Sequence, residues 1–314
     1  MPRFAMTSRI IVDAWERRHE IRSYETNQFI AAAREVYGEV VLLNPHRVAI
    51  ELPRHGAQPR ILHEGNELPR IDTLLLRGTK GLGAALTGLV MALKLQGCEV
   101  LDAHEEFDDQ GATKLPSSFR RFEKRVGSST YLAFSKETAE EFVRQLAAER
   151  RFPLLGKPVA GRKGRGITAL PTLEDALEYV RALYEDLAVV MLLQTLETFV
   201  AEYRVMVFLG QSLGVIRKIA APGEIAANYD RGGTFVACER PDVEAFAIHA
   251  VDPMGIFGVD IGETEDGTLT VIENNRAPNF AAFDAALGHD TARKIVDLAR
   301  LRVDQRLSNS IGTD

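Results

Sequence analysis

The sequence predicts a mixed α/β (α+β) protein made of a parallel α/β block, a smaller second block and an antiparallel-sheet block. Three observations predict it. Short apolar strands alternate with helix-spaced segments from Ile10 to Leu101, the pattern of a parallel sheet. Strand and helix alternate again from Lys136 to Gln194, around a glycine-rich loop. Two hairpin signals, Gly210-Gln211 and Asp266-Gly267, then join longer apolar runs, as antiparallel sheets require.

In the first block, Ile10-Ile11-Val12, Val40 to Leu43, Leu74 to Leu76 and Glu99 to Leu101 read as strands. Asn27 to Tyr37 carries Phe29, Ile30, Ala33 and Val36 on one helical face, and Ala84 to Gln96 is a helix stopped by Gly97. The glycines of Gly81-Leu82-Gly83 read as a loop entering that helix, because Leu86 stands where a dinucleotide fingerprint needs its third glycine. In the second block, Lys136 to Arg150 is a helix capped by Ser135, and Phe152 to Val159 is a strand. Thr172 to Asp186 is a helix whose Thr172 and Asp175 form a capping box, and Leu187 to Gln194 is a strand. In the third block, Tyr203 to Leu209 and Ser212 to Ala220 are hairpin partners, and His289 to Leu307 is a closing helix before a frayed tail.

Composition narrows the function. A net charge of −6 leaves no global basic footprint, so nucleic acid is not an expected partner. Cys98 and Cys238 are the only cysteines, which excludes a disulfide framework and suits a reducing cytoplasm. Met1 to Arg9 lacks the apolar core of a signal peptide, and Leu86 to Leu95 is too short and polar to span a membrane.

Two acids carry the strongest chemical signal. If Asp266-Gly267 is a two-residue turn, Glu265 pairs with Thr268, and Asp260 falls opposite Glu273. Asn275, two residues on, shares that face. At about 5 Å and an effective dielectric near 20, two facing carboxylates repel by roughly 3 kcal/mol. The apolar flanks Val259, Ile261, Val271 and Ile272 make a buried strand pair, where unpaired acids are costly, so a cation is expected between them. Three oxygen donors suit magnesium, which shares its shell with substrate phosphates, and that points to ATP. A solvated surface hairpin is the plain alternative.

Phosphate-binding features lie upstream. Lys157 interrupts the apolar strand Leu155 to Val159, and Gly161, Gly164 and Gly166 follow it in a loop whose amides can wrap an anion. No Gly-Lys-Ser/Thr is present there, so this is not a Walker loop. Arg204, Arg217, Lys218 and Arg231 lie on or near the antiparallel block. Arg217 and Lys218 point to opposite faces, so only one of them reaches a common site. Asn228 and Arg231 sit in a loop able to close over a triphosphate.

Together and in this order, these pieces resemble the ATP-grasp superfamily, and within it the RimK-like carboxylate–amine ligases. The likeness runs from Leu68 to Leu301 and takes in Arg77-Gly78-Thr79 as a pre-grasp segment. It implies an N-terminal pre-grasp domain over 1–112, a lid over 113–195, a C-terminal subdomain with the metal site over 196–307 and a flexible tail over 308–314. It implies that Lys114 lies near the adenine side and Lys157 on the α-phosphate, and that Gln194, Thr195 and Leu196 meet the adenine edge through their backbone. It implies Glu202 on the ribose, Arg204 on a phosphate or acyl phosphate, and Asn228 on the triphosphate. Asp260, Glu273 and Asn275 become magnesium ligands, with Glu273 bridging two ions; manganese is the other candidate metal. Thr195 stands where the family usually has glutamate, Ala226 and Ala227 replace polar or basic loop residues, and Ala277-Pro278-Asn279 replaces Ser-Pro-Gly. The expected partners are a small carboxylate and an amine, or a peptide or protein tail, with no nucleic acid and no membrane, in a homo-oligomer.

The expected reaction is amide formation through an acyl phosphate. The surplus arginines, among them Arg120, Arg121, Arg162, Arg165 and Arg276, hint at an acidic substrate of amino-acid or glutamyl type, although most read as solvated. A kinase acting on a polyanionic alcohol and a nucleotide-binding module without turnover are the competing readings.

Overall fold

A computed structural model describes residues 2–7, 23–54, 58–77, 83–101, 114–159, 167–185, 190–219, 233–253, 255–276 and 278–311. The expected strand at Ile10 to Val12 lies outside them; the first strand described is β1 (Phe4–Thr7). It is followed by α1 (Tyr24–Tyr37), β2 (Val40–Leu43), the small strands β3 (Val48–Glu51), β4 (Arg60–His63) and β5 (Asn66–Glu67), then β6 (Thr73–Leu75), α2 (Gly83–Leu95) and β7 (Glu99–Leu101). Four of these strands form a parallel sheet in the order β2-β1-β6-β7, as the alternation predicted. The antiparallel trio β3-β4-β5 was not anticipated, because none of its strands carries a clean apolar alternation.

The second block contains α3 (Lys114–Lys124), β8 (Thr130–Ala133), α4 (Lys136–Ala148), β9 (Leu154–Gly156), β10 (Thr168–Leu170), α5 (Leu173–Glu185) and β11 (Met191–Thr195). Its sheet runs β10-β9-β11-β8, with every pair antiparallel. The expected caps form: Ser135 accepts from the Thr138 amide at 3.2 Å, and Thr172 and Asp175 exchange bonds of 3.0 and 3.2 Å. Tyr131, Ala133, Leu154, Met191 and Leu193 pack against α4 and α5. By alternation, Thr130, Leu155, Lys157, Leu192 and Gln194 face the other way.

The third block contains β12 (Ala201–Phe208), β13 (Gln211–Ile219), β14 (Thr234–Ala237), α6 (Pro241–Ala250), β15 (Ile256–Glu263), β16 (Leu269–Arg276), α7 (Ala281–Leu287) and α8 (Thr291–Ile311). The antiparallel sheet runs β14-β13-β12-β15-β16. Its first hairpin turns at Leu209-Gly210, both at positive φ, one residue before the expected pair. Helix α8 continues to Ile311, so the tail expected from Ser308 is helical over its first residues, with the Ser308 hydroxyl donating to the Asp304 carbonyl at 2.9 Å.

The second hairpin reaches the expected pairing by an unexpected route. Gly267, at φ +83°, donates to the Thr264 carbonyl at 2.9 Å, and Thr264 donates to the Thr268 carbonyl at 3.0 Å. The loop is therefore three residues, Glu265 to Gly267, and the first pairs are Glu263 with Leu269 and Ile261 with Val271. That register alone would set Asp260 opposite Ile272. A bulge between Asp260 and Ile261 leaves Ile272 unpaired, and Asp260 meets Glu273 after all.

The two faces of this sheet differ. Tyr203, Val205, Val207, Val259, Ile261 and Val271 pack with α6. On the other face Met206, Phe208, Ile216 and Ile256 join Phe280 and Phe283, the helix α8 and the N-terminal residues Phe4 and Phe29 in one core. Further along that same face the residues become Glu202, Arg204, Lys218, Asp260 and Glu273.

Candidate active site

The charged end of this face is a set of ion pairs. Arg204 and Asp260 are cross-strand partners, and the guanidinium grips the carboxylate with two bonds of 2.7 Å. Lys218 lies 3.1 Å from Glu202 and 3.7 Å from Asp260. Lys218 and Asp260 are both buried. Burial pushes the Asp260 carboxyl up, but Arg204 and then Lys218 outweigh it and hold the carboxyl below its usual range. Arg217, opposite Tyr203, is exposed on the α6 side of the sheet, so of the adjacent pair it is Lys218 that enters the cluster.

The cation expected between the two acids is thus partly supplied by the protein. Arg204 answers Asp260. Glu273 is exposed and lies in the charge field of Lys114, Arg121, Lys157 and Arg204. Facing acids alone therefore do not demand a metal. The donor set nonetheless fits one: two carboxylates and an amide on one face are hard oxygen ligands, and each Asp260 oxygen keeps a second lone pair beyond its bond to Arg204. Asn275 pairs with Gly258, where a Cβ would stand 2.9 Å from Pro278, so Pro278 lies close against the face that carries Asp260 and Asn275.

The opposing wall comes from the second block. Gly156 lies under the ring of Tyr179, whose Cζ is 2.7 Å from the place of a Cβ, so glycine is needed there and the next residue, Lys157, faces away from α5. The Lys157 amide donates to Leu192 at 3.0 Å, which extends β9 by one residue. Burial, then repulsion from Arg121, lowers the Lys157 ammonium to about 8, against partial relief from Glu273. Lys114 opens α3 and grips the same strand, its amide on the Val159 carbonyl at 3.0 Å and its ammonium on the Pro158 carbonyl at 2.8 Å. Burial lowers Lys114 as well.

Gln194 is buried and donates to the Thr130 hydroxyl at 2.9 Å. The amides of Thr195 and Leu196 donate to Ser129 and Pro153 at 3.0 and 3.1 Å. A backbone contact from either of those two residues to a base would therefore use its carbonyl. Phe199 covers Gly262, whose Cβ would come within 2.4 Å of the ring, and so walls the strand beside Glu202. Gly161, Gly164, Gly166, Asn228 and Arg231 lie outside the described residues, as do Gly78 and Thr79.

Arg121 is the residue the sequence reading undervalued. It stands among the surplus arginines that hint at an acidic substrate, most of which read as solvated, yet it is buried, with one nitrogen 3.1 Å from the Ser118 hydroxyl. The signal was present: Lys114, Ser118 and Arg121 follow helical spacing on one face, but α3 was not read as a helix.

Known proteins share this fold. The ATP-grasp ligase PsnB, in a structure complexed with a phosphomimetic variant of its minimal precursor, Mg and ADP, superposes with a TM-score of 0.71 at 17% identity, over 96% of this chain and 98% of that one. D-alanyl-alanine synthetase A of Vibrio cholerae gives a TM-score of 0.61 at 13% identity, over 97% and 99%. The fold is the ATP-grasp fold. The model of the RimK-like ATP-grasp domain matches residues 124–299, and the chain belongs to that family. Curated relatives include a probable alpha-L-glutamate ligase of Aeromonas salmonicida, 26% identical over 91% of this chain and 96% of its own length, and another of Thioalkalivibrio sulfidiphilus, 28% identical over 88% and 91%. The chain is an ATP-dependent ligase that joins a carboxylate to an amine. Among the described residues no helix is long and apolar enough to cross a membrane.

Proposed function

We propose that this cleft binds ATP between the two walls and joins a glutamate-type acid to an amine through an acyl phosphate. Three cations on one wall, Lys114, Arg121 and Lys157, face oxygen donors on the other, and this juxtaposition carries the reading. None of the three forms an ion pair with a described carboxylate, so a polyanion fits between them. The relatives named as glutamate ligases favour glutamate as one substrate.

In this reading Lys157 holds the α-phosphate, with Lys114 beside it toward the adenine side, and Arg204 and Lys218 stand where negative charge gathers as the carboxylate attacks the γ-phosphorus. ADP leaves, the amine attacks the acyl carbon, and inorganic phosphate departs as the amide forms. Asp260, Glu273 and Asn275 would hold magnesium, as two ions with Glu273 shared; bound there, it offsets charge on the phosphates. Glu202 faces the ribose, and the Gln194 to Leu196 segment faces the base. Asn228, Arg231 and the loop of Gly161, Gly164 and Gly166 complete the triphosphate pocket. Residues 113–195 act as a lid on 196–307, behind the N-terminal unit 1–112, in a cytoplasmic homo-oligomer.

The test is ADP release with magnesium and glutamate, offered alone and with a panel of amino acids and peptides, followed by mass spectrometry of the product. The expected result is ADP and inorganic phosphate in equal amounts, only when both acid and amine are present, with a product lighter than the sum of the two by one water. Phosphate retained on the product would show phosphoryl transfer instead and overturn the ligase mechanism.

A further inference from the structure

We propose that Arg121 is a third phosphate-binding cation, placed by the edge of the antiparallel sheet to hold the terminal phosphates of the nucleotide beside Glu273. The inference rests on the nucleotide reading above and assigns a residue to it that neither the motifs nor the family resemblance supplied.

Its position is built rather than incidental. The Val126 amide donates to the Arg121 carbonyl at 3.0 Å, and the Val271 amide donates to the Val126 carbonyl at 2.7 Å. The end of α3 is thereby tied to β16 beside its bulge, two residues from Glu273. Gly127 permits the approach: a Cβ there would meet the Arg121 Cβ at 2.9 Å. The Ser118 hydroxyl, which donates to the Lys114 carbonyl at 2.8 Å, accepts from the guanidinium at 3.1 Å and fixes it on the Lys114 face of α3.

Its charge is unanswered. Among the described residues Arg121 makes no ion pair, and Glu273 is the one acid whose field it feels. Its other charged neighbours are Lys157 and Lys114, both of which it repels. A buried arginine kept for stability alone would be expected to carry a carboxylate partner, because an uncompensated buried cation is costly. Here three cations converge on one exposed glutamate. A guanidinium suits phosphate oxygens, which it can grip with two parallel bonds. Its place beside Glu273, rather than beside the base-facing Gln194, assigns it to the far end of the polyphosphate.

The experiment measures ADP and AMP binding by titration calorimetry, with magnesium, for the full-length wild type, Arg121→Met and Arg121→Lys, alongside unfolding of each protein without nucleotide. Arg121→Met is expected to weaken ADP at least tenfold and AMP less than threefold, and Arg121→Lys to recover most of the ADP loss. Without nucleotide, the methionine variant is expected to unfold at the same temperature as the wild type or higher. Equal weakening of ADP and AMP, unchanged ADP binding, or a lower unfolding temperature with proportional loss of both ligands would overturn the proposal. If the methionine variant does not fold, Arg121→Gln takes its place and must show the same selective loss of ADP; if neither neutral variant folds, Arg121 is a structural residue and the proposal fails. A wild type that binds neither nucleotide would sink the nucleotide reading itself, a result distinct from all of these.

Discussion

The two walls of the cleft treat charge in opposite ways. On the sheet wall, acids and bases are matched: Asp260 takes two bonds from Arg204, and Lys218 sits between Glu202 and Asp260. On the wall from the second block, Lys114, Arg121 and Lys157 gather with only Glu273 and Glu197 in range among the described residues. The matched wall is fixed before any substrate arrives. The unmatched wall is held in mutual repulsion that an anion would relieve, and in the proposed reading that anion is the polyphosphate. Stability is thus expected to reside in the first wall and affinity in the second.

The largest expected effects contrast two acids of the sheet wall: Asp260, which is matched within that wall, and Glu273, which faces the cations opposite. Asp260→Ala strips Arg204 of its bonded carboxylate and leaves buried Lys218 with Glu202 alone, and should cost about 3–5 kcal/mol of folding stability. Glu273→Gln removes an exposed charge and should change stability by less than about 1 kcal/mol, yet lower turnover by about 10²-fold. Urea unfolding and ADP release on both variants check this. Equal destabilisation by the two would erase the contrast between matched and unmatched charge.

A smaller effect concerns pH. The Lys157 ammonium is lowered to about 8, by burial first and then by Arg121 and Lys114, against Glu273 and Glu197. Phosphate binding needs the charged form, so kcat/KM for ATP should fall as pH rises through about 8. Stability should move the other way. The folded value lies below the ordinary lysine value of 10.5, so between the two the unfolded chain binds more protons and stability rises with pH. Lys157→Met should abolish both trends. A flat ATP profile from pH 7 to 9 in the wild type would remove Lys157 from the phosphate site.

How much of this was legible in the sequence follows from where the determinants lie. Periodicity and caps gave the parallel sheet, α4, α5 and the long antiparallel strands, because those signals are local. The opposition of Asp260 and Glu273 was also legible, but through two compensating details: a loop one residue longer than expected and a bulge that restores the register. The partner of Asp260 was not legible, since Arg204 reaches it across a strand pair separated by 56 residues. Nor was the burial of Arg121, which depends on Gly127 and on the Val126–Val271 bond between distant elements. Nearest-neighbour chemistry reads well from sequence; the choice between a solvated and a buried arginine is made by tertiary contacts.

The smallest expected effect asks what fixes the sheet wall in place. Gly267 closes the hairpin at φ +83°, with nothing within 4 Å of an added Cβ, so Gly267→Ala meets backbone strain and no steric clash. The cost should be about 1–2 kcal/mol, as for any L-residue forced into the left-handed region. Glu273 lies six positions beyond Gly267, and between them the Val126 carbonyl holds Val271 at 2.7 Å. If that bond and the bulge set the register, strain at the turn is absorbed before it reaches the acids. Gly267→Ala should then lower the urea midpoint while leaving the KM for ATP within about twofold of wild type, a change too small to register as a lost contact. A KM that rises in step with the lost stability would show instead that the turn dictates the pairing of Asp260 with Glu273, and that the matched wall is no more firmly set than the unmatched one.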